Sequence, residues 1–580
     1  MRNRLRVNNL LGKHKLPLTM NGPISKVMQQ SGVDMGNIKS WNGYFGARNL
    51  AALNAKYLLE KQQQRRQSSR FIAISSDGSV GNAHTANETV RIRAVVEDES
   101  GQKELDEVLA GVAKLHREDA SGTLRGIKEK LKQAGYDLDD NTLLQLLEDD
   151  RALLPFVIVC ANFDGASVNM GVNQSVAKLL KDLFPWLVIT HCVCHNLELA
   201  ILDLKKEHEY LQHFDGIMKQ VYKFYHYSSK RREEFKTLCA IEEQAYKEFG
   251  GIQSIRWAAS VSRALVALHQ NWKVTVAHLD HVSNEGDADV GAWAVGLRTD
   301  LTSKRFILHL HFMLDLMQIL GVLSKTFQDP NITILDVFDK VTHTKRQLEA
   351  MKECRPSRKR KSMADGFNDP TTEIDAEILQ APQAEEPAVV ASEMDTYFKA
   401  LVEDSINFIE SRYAAYSKAP LVYFKVFDFK KWPAAGPPST YGDQSIQSIL
   451  DHFKRVLPVG LRAAALTEWP ALKRRVLEKR HTEVGGKIQL DSYLSVYIQL
   501  INESPHDVQN ILGLVELLLV LSPATAGCER SFSNLKLIQN KTRTKLLQEV
   551  LNNLMIVTEQ GATVEQFDPD PVIDLWVKLS

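Results

Sequence analysis

The sequence predicts a mixed α/β protein in which helices dominate, and two patterns indicate this class. Short segments in the first third read as strands, either alternating apolar and polar residues or running continuously apolar. The stretch from about residue 194 to residue 521 has helical periodicity with few strand signals. The predicted strands are RFIAISS (70–76), TVRIRAVV (89–96), PFVIVC (155–160) and WLVIT (186–190).

The third and fourth predicted strands enclose a helical pattern at 174–183. Strand, loop, helix and strand at this spacing form a βαβ unit, which places two parallel strands in one sheet. Two further regions read as helical, a basic N-terminal arm at 1–69 and the segment 102–150. The expected division is therefore a helical arm (1–69), an α/β region (70–195), an all-α region (196–520) and a C-terminal region (521–580).

Composition excludes several classes of protein. The 580 residues include 71 basic and 71 acidic side chains and are 44% apolar, which is ample for sizeable cores and argues against disorder throughout. The zero net charge confines any DNA-binding surface to a local patch. Six cysteines without a Cys-x-x-Cys pair favour a reducing compartment over a disulfide scaffold. The longest strongly apolar run, 511–521, is too short to span a bilayer, so no membrane association is expected.

One segment of the predicted all-α region differs from the rest. Residues 355–393 begin with RPSRKRK and continue as an acidic, proline-containing stretch with few aromatic residues. Such charge segregation predicts a disordered loop. Its basic tract, 358–361, is a candidate nuclear-localisation signal, so the nucleus is the expected compartment.

Two aspartates follow predicted strands. Asp77 comes after RFIAISS, and Asp164 comes shortly after PFVIVC. Ends of neighbouring strands converge on one edge of an α/β sheet, and carboxylates there are suitable ligands for Mg²⁺ or Mn²⁺. The alternative is that each aspartate only starts a turn, because Asp-Gly is a strong turn signal.

Five ordered motifs resemble those of the hAT superfamily of DNA transposases. FIAISSDGS (71–79) and CANFDGASVNMG (160–171) are similar to its two acidic motifs, and HCVCHNLELA (191–200) is similar to its Cys-x-x-His motif through Cys192 and His195. SIRW (254–257) resembles its Arg-Trp motif, and residues 522–557 resemble its C-terminal dimerisation region. Each motif alone has low specificity, whereas their common order along most of the chain is a specific signal.

The resemblance implies an α/β ribonuclease H-like core interrupted by a large all-α insertion. It also implies an Asp-Asp-Glu triad that binds two divalent metal ions, Mg²⁺ or Mn²⁺, and cuts and joins DNA. By motif match the triad falls on Asp77, Asp164 and Glu529, with Asp77 bridging the ions. Two ions would stabilise both the attacking and the leaving oxygen of an in-line displacement. Without the resemblance, Glu529 reads as a surface carboxylate that pairs with Arg530 or Lys536.

The Cys192 and His195 motif is expected to be structural. Zinc needs four tetrahedral ligands, and residues this close in sequence would supply two at most, so zinc is not expected. The paired cysteines that begin the zinc finger of many hAT transposases are absent from the sequence. Two explanations stay open: either the sequence is truncated at its start, or DNA recognition depends on the N-terminal arm and the insertion.

Candidate DNA contacts come from basic tracts and from the Arg-Trp motif. Aromatic and guanidinium groups can stack on an unpaired base, and basic side chains can bind phosphates. The alternatives are a core tryptophan and solvated charged faces. The candidates are Arg256, Trp257, Arg65, Arg66, Lys541 and Arg543.

Three functions are compatible with these features. The first is a catalytic DNA transposase. The second is a domesticated, catalytically silent transposase that dimerises and binds DNA or chromatin. The third is an unrelated helical scaffold in which the acidic residues never meet. An apolar stripe at Leu547, Val550, Leu551 and Leu554 has helical spacing, so it predicts packing either into the core or against a second subunit of a homo-oligomer.

Overall fold

The computed structural model describes residues 1–580 except 37–40, 42, 81–84, 140–155, 172–173, 251–256, 286, 354–386, 485–486, 541–542 and 544. The described chain is mixed α/β and dominated by helices, as the sequence predicts. It divides into two compact units. The first comprises Met1–Val193, Gln328–Phe338 and Ala415–Ser580, and the second comprises Cys194–Phe327 and Asp339–Ala414.

The first unit contains a five-stranded sheet with the order β3-β2-β1-β4-β5. Strands β1, β2 and β3 are antiparallel neighbours, whereas β4 pairs parallel with β1 and β5 pairs parallel with β4. The strands are β1 (Phe71–Val80), β2 (Ala86–Glu97), β3 (Lys103–Lys114), β4 (Val157–Phe163) and β5 (Val188–His191). All four predicted strands are present, and the parallel β4 is buried along its whole length.

The helices that precede these strands and those that connect them also belong to the first unit. The N-terminal helices are α1 (Arg2–Lys13), α2 (Asn21–Gln30) and α3 (Tyr44–Arg65). Helices between strands are α4 (Ala120–Gln133), α5 (Ser167–Met170) and α6 (Val176–Leu183). Asp119 caps α4 by accepting a hydrogen bond from the Gly122 amide, and Ser175 caps α6 through the Lys178 amide. The predicted helices at 1–69 and 174–183 are confirmed.

The strand β3 is a correction to the sequence prediction. The pattern ELDEVLAGVAKL was expected to be helical, but this segment pairs with β2 over its full length. Its apolar residues Leu109 and Val112 are buried in a cluster with the N-terminal and C-terminal helices. Long-range packing therefore overrides the local helical pattern. The rest of the predicted 102–150 helical region holds α4, and 140–150 lies outside the described residues.

Helices continue from β5 to residue 413. They are α7 (Val193–Glu207), α8 (Glu209–His226), α9 (Ser229–Ile241), α10 (Trp257–Gln270), α11 (Trp272–Glu285), α12 (Ala288–Thr302), α13 (Lys304–Phe327), α14 (Ile334–Glu353) and α15 (Pro387–Tyr413). By length and composition α13 could cross a membrane, although 67% of its most apolar stretch is buried inside the protein. The predicted disordered loop falls mostly on 354–386, outside the described residues, but 387–393 belong to α15.

The C-terminal part of the first unit begins with three 3-10 helices (Ala414–Ser417, Leu421–Phe427 and Phe429–Lys431). The elements that follow are α16 (Asp443–His452), α17 (Val459–Lys479), the hairpin β6 (His481–Val484) and β7 (Lys487–Leu490), α18 (Tyr493–Glu503), α19 (Leu512–Val520), α20 (Ala526–Ile538), α21 (Gln548–Gln560) and α22 (Asp570–Leu579). The hairpin corrects the expectation that 196–520 is all α.

The predicted boundary of the all-α insertion at residue 520 is also corrected, because 415–520 cluster with the sheet. Hydrogen bonds and packing explain why 415–520 belong to the first unit. The Arg70 guanidinium, next to β1, donates to the Val456 carbonyl (2.7 Å), and α19 packs against β1 and β2. The late chain is thus part of the layer that covers the sheet.

The C-terminal apolar stripe packs within the chain. Val550, Leu551 and Leu554 of α21 are buried in a cluster that includes residues of α1, α3 and β3, whereas Leu547 is 53% exposed. Of the two predicted roles, the structure shows the intrachain core for this stripe. The homo-oligomer stays a prediction that would need another surface.

Candidate active site

Asp77 lies inside β1 and not at the end of a strand. Its Cα is paired with Thr89 of β2, and pairing continues through Gly78 and Glu88 to Val80 and Ala86. The Asp77-Gly78 pair therefore forms no turn, which corrects that alternative. The side chain is 9% exposed, so β1 holds this carboxylate in a rigid and largely dry position.

Asp164 directly follows β4, as the sequence predicts. The parallel register pairs Ser75 of β1 with Asn162 of β4, so Asp77 and Asp164 each stand two residues beyond the same pair. Asp164 Oδ1 accepts hydrogen bonds from the Ala166 amide (3.2 Å) and from Asn169 Nδ2 (2.7 Å). These bonds fix the carboxylate as the chain leaves the sheet and enters α5.

Glu529 reaches the same edge of the sheet through the segment 522–525. The Ser522 carbonyl accepts hydrogen bonds from Thr190 Oγ1 (2.7 Å) and Asn162 Nδ2 (3.2 Å). The Pro523 carbonyl accepts one from the Val193 amide (3.0 Å). This segment therefore crosses the carboxyl ends of β4 and β5 and leads into α20, which carries Glu529 in its first turn.

The charges of the other two candidate acids act on Asp77. Burial raises the pKa of Asp77 well above its usual value, and the next largest cause is the charge of Asp164. The charges of Cys192, Glu88 and Glu529 also raise this pKa. Every named charge at Asp77 is thus negative when ionised. The chain brings an aspartate from β1, an aspartate after β4 and a glutamate 365 residues after Asp164 into one electrostatic cluster.

Glu88 is a fourth acidic residue of this cluster that the sequence reasoning missed. It pairs with Gly78 across the β1–β2 ladder and accepts a hydrogen bond from Ser76 Oγ (2.5 Å). Burial raises its pKa to about 7, and the charge of Asp164 adds to this shift. The available signal was a glutamate just before the alternating strand TVRIRAVV, in a hairpin that returns toward Asp77.

We expect Glu88→Gln to remove a pH-dependent loss of stability. The folded-state pKa of Glu88, about 7, exceeds the usual 4.5. Between these values the unfolded chain releases the proton and the folded chain keeps it, so stability falls as pH rises, by on the order of 3 kcal/mol. Glutamine can still accept the Ser76 bond but cannot ionise. Hydrogen exchange of β1 and β2 amides at pH 5 and pH 8, corrected for intrinsic rates, measures the difference.

Ser76→Ala should enlarge the pH-dependent loss of stability that Glu88→Gln removes. The Ser76 hydroxyl lowers the pKa of Glu88, so its removal should extend the loss of stability to higher pH. An equal pH dependence of β1 and β2 exchange in wild type and Glu88→Gln would show that Glu88 does not titrate in this way.

The donor set of the cluster fits a hard divalent cation. Asp77, Asp164 and Glu529 supply only carboxylate oxygens, the ligands that Mg²⁺ and Mn²⁺ prefer. A cation would also offset the mutual repulsion recorded in the raised pKa of Asp77. Among the described residues, no three His, Cys, Asp or Glu side chains are already grouped as ligands for a metal ion. Binding would therefore require these carboxylates to draw together.

Cys192 has a structural contact. Its side chain is fully buried, its amide donates to the Phe163 carbonyl (2.8 Å), and its Sγ accepts a hydrogen bond from the Thr525 amide (3.3 Å). It thereby joins the end of β4 to the residue that precedes α20. His195 lies in the first turns of α7 and is partly exposed.

The two predicted DNA-contact residues of the N-terminal arm, Arg65 and Arg66, are bonded to other residues of the protein. Arg65 forms ion pairs with Glu104 and with Asp106 (2.9 Å) of β3. Arg66 is 4% exposed and donates to the Tyr136 hydroxyl (3.2 Å). A buried guanidinium offers no face to a phosphate, so the prediction for Arg66 is corrected.

The remaining DNA-contact candidates have mixed outcomes. Arg543 donates to the Lys15 carbonyl (2.6 Å), and burial lowers its pKa. Arg256 and Lys541 lie outside the described residues, and Trp257 is described only as the first residue of α10. Their contact with DNA stays a prediction. No family model matches the chain.

Proposed function

We propose that this protein is a hAT-type DNA transposase that cleaves and joins DNA phosphodiesters with the carboxylates of Asp77, Asp164 and Glu529. One observation carries the proposal. The segment 522–525 crosses the ends of β4 and β5 and leads into α20, and the charges of Asp164 and Glu529 both add to the burial that raises the pKa of Asp77. The ordered motifs that resemble this superfamily fall on the same residues.

The architecture supports a ribonuclease H-like core in this proposal. A mixed sheet with three antiparallel strands and two parallel strands carries two of the acids at adjacent positions on β1 and after β4. A largely helical block separates them from the third acid. Such a separation requires the late chain to return to the sheet, and the Ser522 and Pro523 hydrogen bonds supply that return.

The three carboxylates are held in position in different ways. Asp77 is fixed by strand pairing, Asp164 by two hydrogen bonds in its turn, and Glu529 by the seating of α20. Together they would hold Mg²⁺ or Mn²⁺, which supplies charge stabilisation for the attacking and leaving oxygens of a phosphodiester. The buried setting of Asp77 strengthens every charge interaction at this point because water is largely excluded.

Partners and location follow from this function as further parts of the proposal. The substrate is DNA, the compartment is the nucleus, and a homo-oligomer would bring two DNA ends together. With Arg65 and Arg66 engaged within the fold, phosphate binding would fall to other basic side chains. Lys536 and Lys545 are exposed near the C-terminal helices and are available for this role.

Plasmid cleavage tests the proposal. Wild-type protein should convert supercoiled plasmid to nicked and linear forms with Mn²⁺ and not with EDTA. Asp164→Asn should lose this activity, because asparagine keeps an oxygen for the Ala166 and Asn169 bonds but has no charge for a metal ion. Asp182→Asn is the matched control. Asp182 is an exposed partner of Lys178 on α6, so this variant should cleave plasmid like wild type.

Two outcomes would overturn the catalytic proposal. One is equal cleavage by wild type and Asp164→Asn, which would assign the activity to another site or to a contaminant. The other is no metal-dependent cleavage by wild type with either Mg²⁺ or Mn²⁺. DNA binding by that inactive protein, measured by gel shift, would then favour the silent, domesticated transposase.

A further inference from the structure

A buried arginine joins the sheet to helices α20 and α21. Arg91 of β2 donates through Nε to Glu107 of β3 (3.0 Å) and through Nη2 to the Glu107 carbonyl (2.9 Å). Its Nη1 donates to Ser531 of α20 (3.0 Å) and to Glu559 of α21 (2.6 Å). The Arg91 and Glu107 side chains are 9% and 8% exposed, so this network is almost dry.

Gly527 of α20 packs directly on this network. A Cβ added at Gly527 would lie 2.3 Å from Glu107 Oε1, 2.5 Å from Arg91 Nε and 2.8 Å from Arg91 Cδ. Arg91 and Glu107 are flexible in principle, but here both are buried and bonded to each other. Displacing them would break charge-assisted hydrogen bonds, so a larger side chain at residue 527 must push the helix away instead.

The contact lies within the helical turn that carries the proposed catalytic glutamate. Gly527 and Glu529 are both in the first turn of α20, and Cys528 between them places its Sγ against the Ser75 and Thr89 carbonyls (3.7 and 3.8 Å). These two carbonyls belong to β1 and β2 beside Asp77. A shift of this turn therefore moves Glu529 relative to Asp77 by a similar amount.

We infer that the Arg91–Glu107 pair and Gly527 form a seat that sets the position of α20 and thereby places Glu529 in the active site. This inference rests on the proposed function, for which Arg91 and Gly527 are positioning residues that touch neither DNA nor metal. It accounts for a glycine within a helix, where alanine is ordinarily the better helix former.

Gly527→Ala and Gly460→Ala form a matched pair of variants. Each glycine is the second residue of its helix, α20 or α17, but a Cβ at Gly460 would meet only Asn510 Oδ1 at 3.6 Å, an ordinary contact. For Gly527→Ala we expect kcat for plasmid cleavage to fall on the order of 100-fold with little change in KM for DNA, the size of effect associated with about 1 Å of misplacement. Gly460→Ala should match wild type.

Hydrogen exchange supplies a readout that is independent of activity. In Gly527→Ala, amides in the first turn of α20 should exchange faster, while β4 and β5 keep their wild-type protection. General destabilisation would instead raise exchange across the whole unit. Arg91→Lys keeps the charge but places all its donors on one nitrogen, whereas Arg91 reaches Glu107 from Nε and reaches Ser531 and Glu559 from Nη1. It should change kcat and exchange in the same direction and by less.

The outcomes separate this inference from the proposed function. Wild-type kcat and wild-type exchange in Gly527→Ala would overturn the seat while leaving the transposase proposal intact. Absence of cleavage by wild-type protein would overturn the proposed function, and exchange in α20 would still decide whether Gly527 sets the position of the helix.

Discussion

Asp77→Asn is expected to reduce DNA cleavage about 1,000-fold, equivalent to about 4 kcal/mol of transition-state stabilisation, while making the metal-free protein more stable at pH 8. Both effects follow from removing one buried carboxylate: cleavage falls because a proposed metal ligand is lost, and stability rises because a charge that folding disfavours is lost. Burial and the neighbouring acids raise the pKa of Asp77, so the folded chain holds this proton more tightly than the unfolded chain does. Its contribution to stability therefore falls as pH rises above its usual value, and asparagine removes that loss.

Asp215→Asn is the control for this pair of effects. Asp215 of α8 is also buried, but it forms ion pairs with Lys205 and with Lys219 (2.7 Å). Removing its charge should lower stability, the opposite sign to Asp77→Asn, and leave plasmid cleavage unchanged below the melting temperature. Thermal melts at pH 8 in EDTA and cleavage assays with Mn²⁺ measure both quantities. Reduced stability of Asp77→Asn would contradict the electrostatic account of this site.

The parts of the site that the sequence predicted are those set by local patterns. The alternation of residues 71–76 and 89–96 and the continuous apolar run before Asp164 are properties of single strands. They were sufficient to associate each aspartate with a strand, whereas the position of Asp77 inside β1 and the register between β1 and β4 appear only in the folded chain. Glu529 was proposed from the resemblance alone, because a glutamate in the first turn of an amphipathic helix has no local feature that distinguishes it from a surface carboxylate.

The parts that the sequence could not predict depend on distant partners. The segment 103–114 has an acceptable helical pattern, and its strand conformation follows from pairing with β2 and from burial against α21. Arg91 reads as one exposed position of an alternating strand, yet its partner Glu559 is 468 residues away. No local rule distinguishes a buried arginine of this kind from a solvated one.

The same limit applies to the boundary of the helical insertion. Periodicity shows where helices form but not which layer they join, so 415–520 could not be separated from the helices before them. Contacts such as that between Arg70 and the Val456 carbonyl decide the assignment, and they appear only in the folded chain.

Divalent metal is expected to stabilise the protein by about 4 kcal/mol at a free concentration near 1,000 times its dissociation constant, since an ion that binds only the folded state shifts the unfolding equilibrium by mass action. The effect should be larger at pH 8 than at pH 6. Asp77 has a raised pKa, so at lower pH the ion must displace a proton from the carboxylate that it binds.

Urea unfolding in EDTA and in Mn²⁺ measures this stabilisation, and the loss of the free Mn²⁺ signal in electron paramagnetic resonance gives the affinity. Asp164→Asn should lose most of the stabilisation. Glu516→Gln should keep it, because Glu516 also has a pKa raised to about 7 by burial but lies beside Arg70, at the opposite end of β1 from Asp77. This control separates metal binding at the proposed site from a general response of buried acids.

Equal stability in EDTA and Mn²⁺, together with an undiminished free Mn²⁺ signal, would remove the metal from the mechanism. Asp77, Glu88, Asp164 and Glu529 would then form a repulsive cluster that no cation relieves. A cluster of that kind costs stability at neutral pH without serving catalysis, so replacing its acids by amides should raise stability with no loss of function. The metal titration and the amide variants thus test the same electrostatic argument from opposite directions.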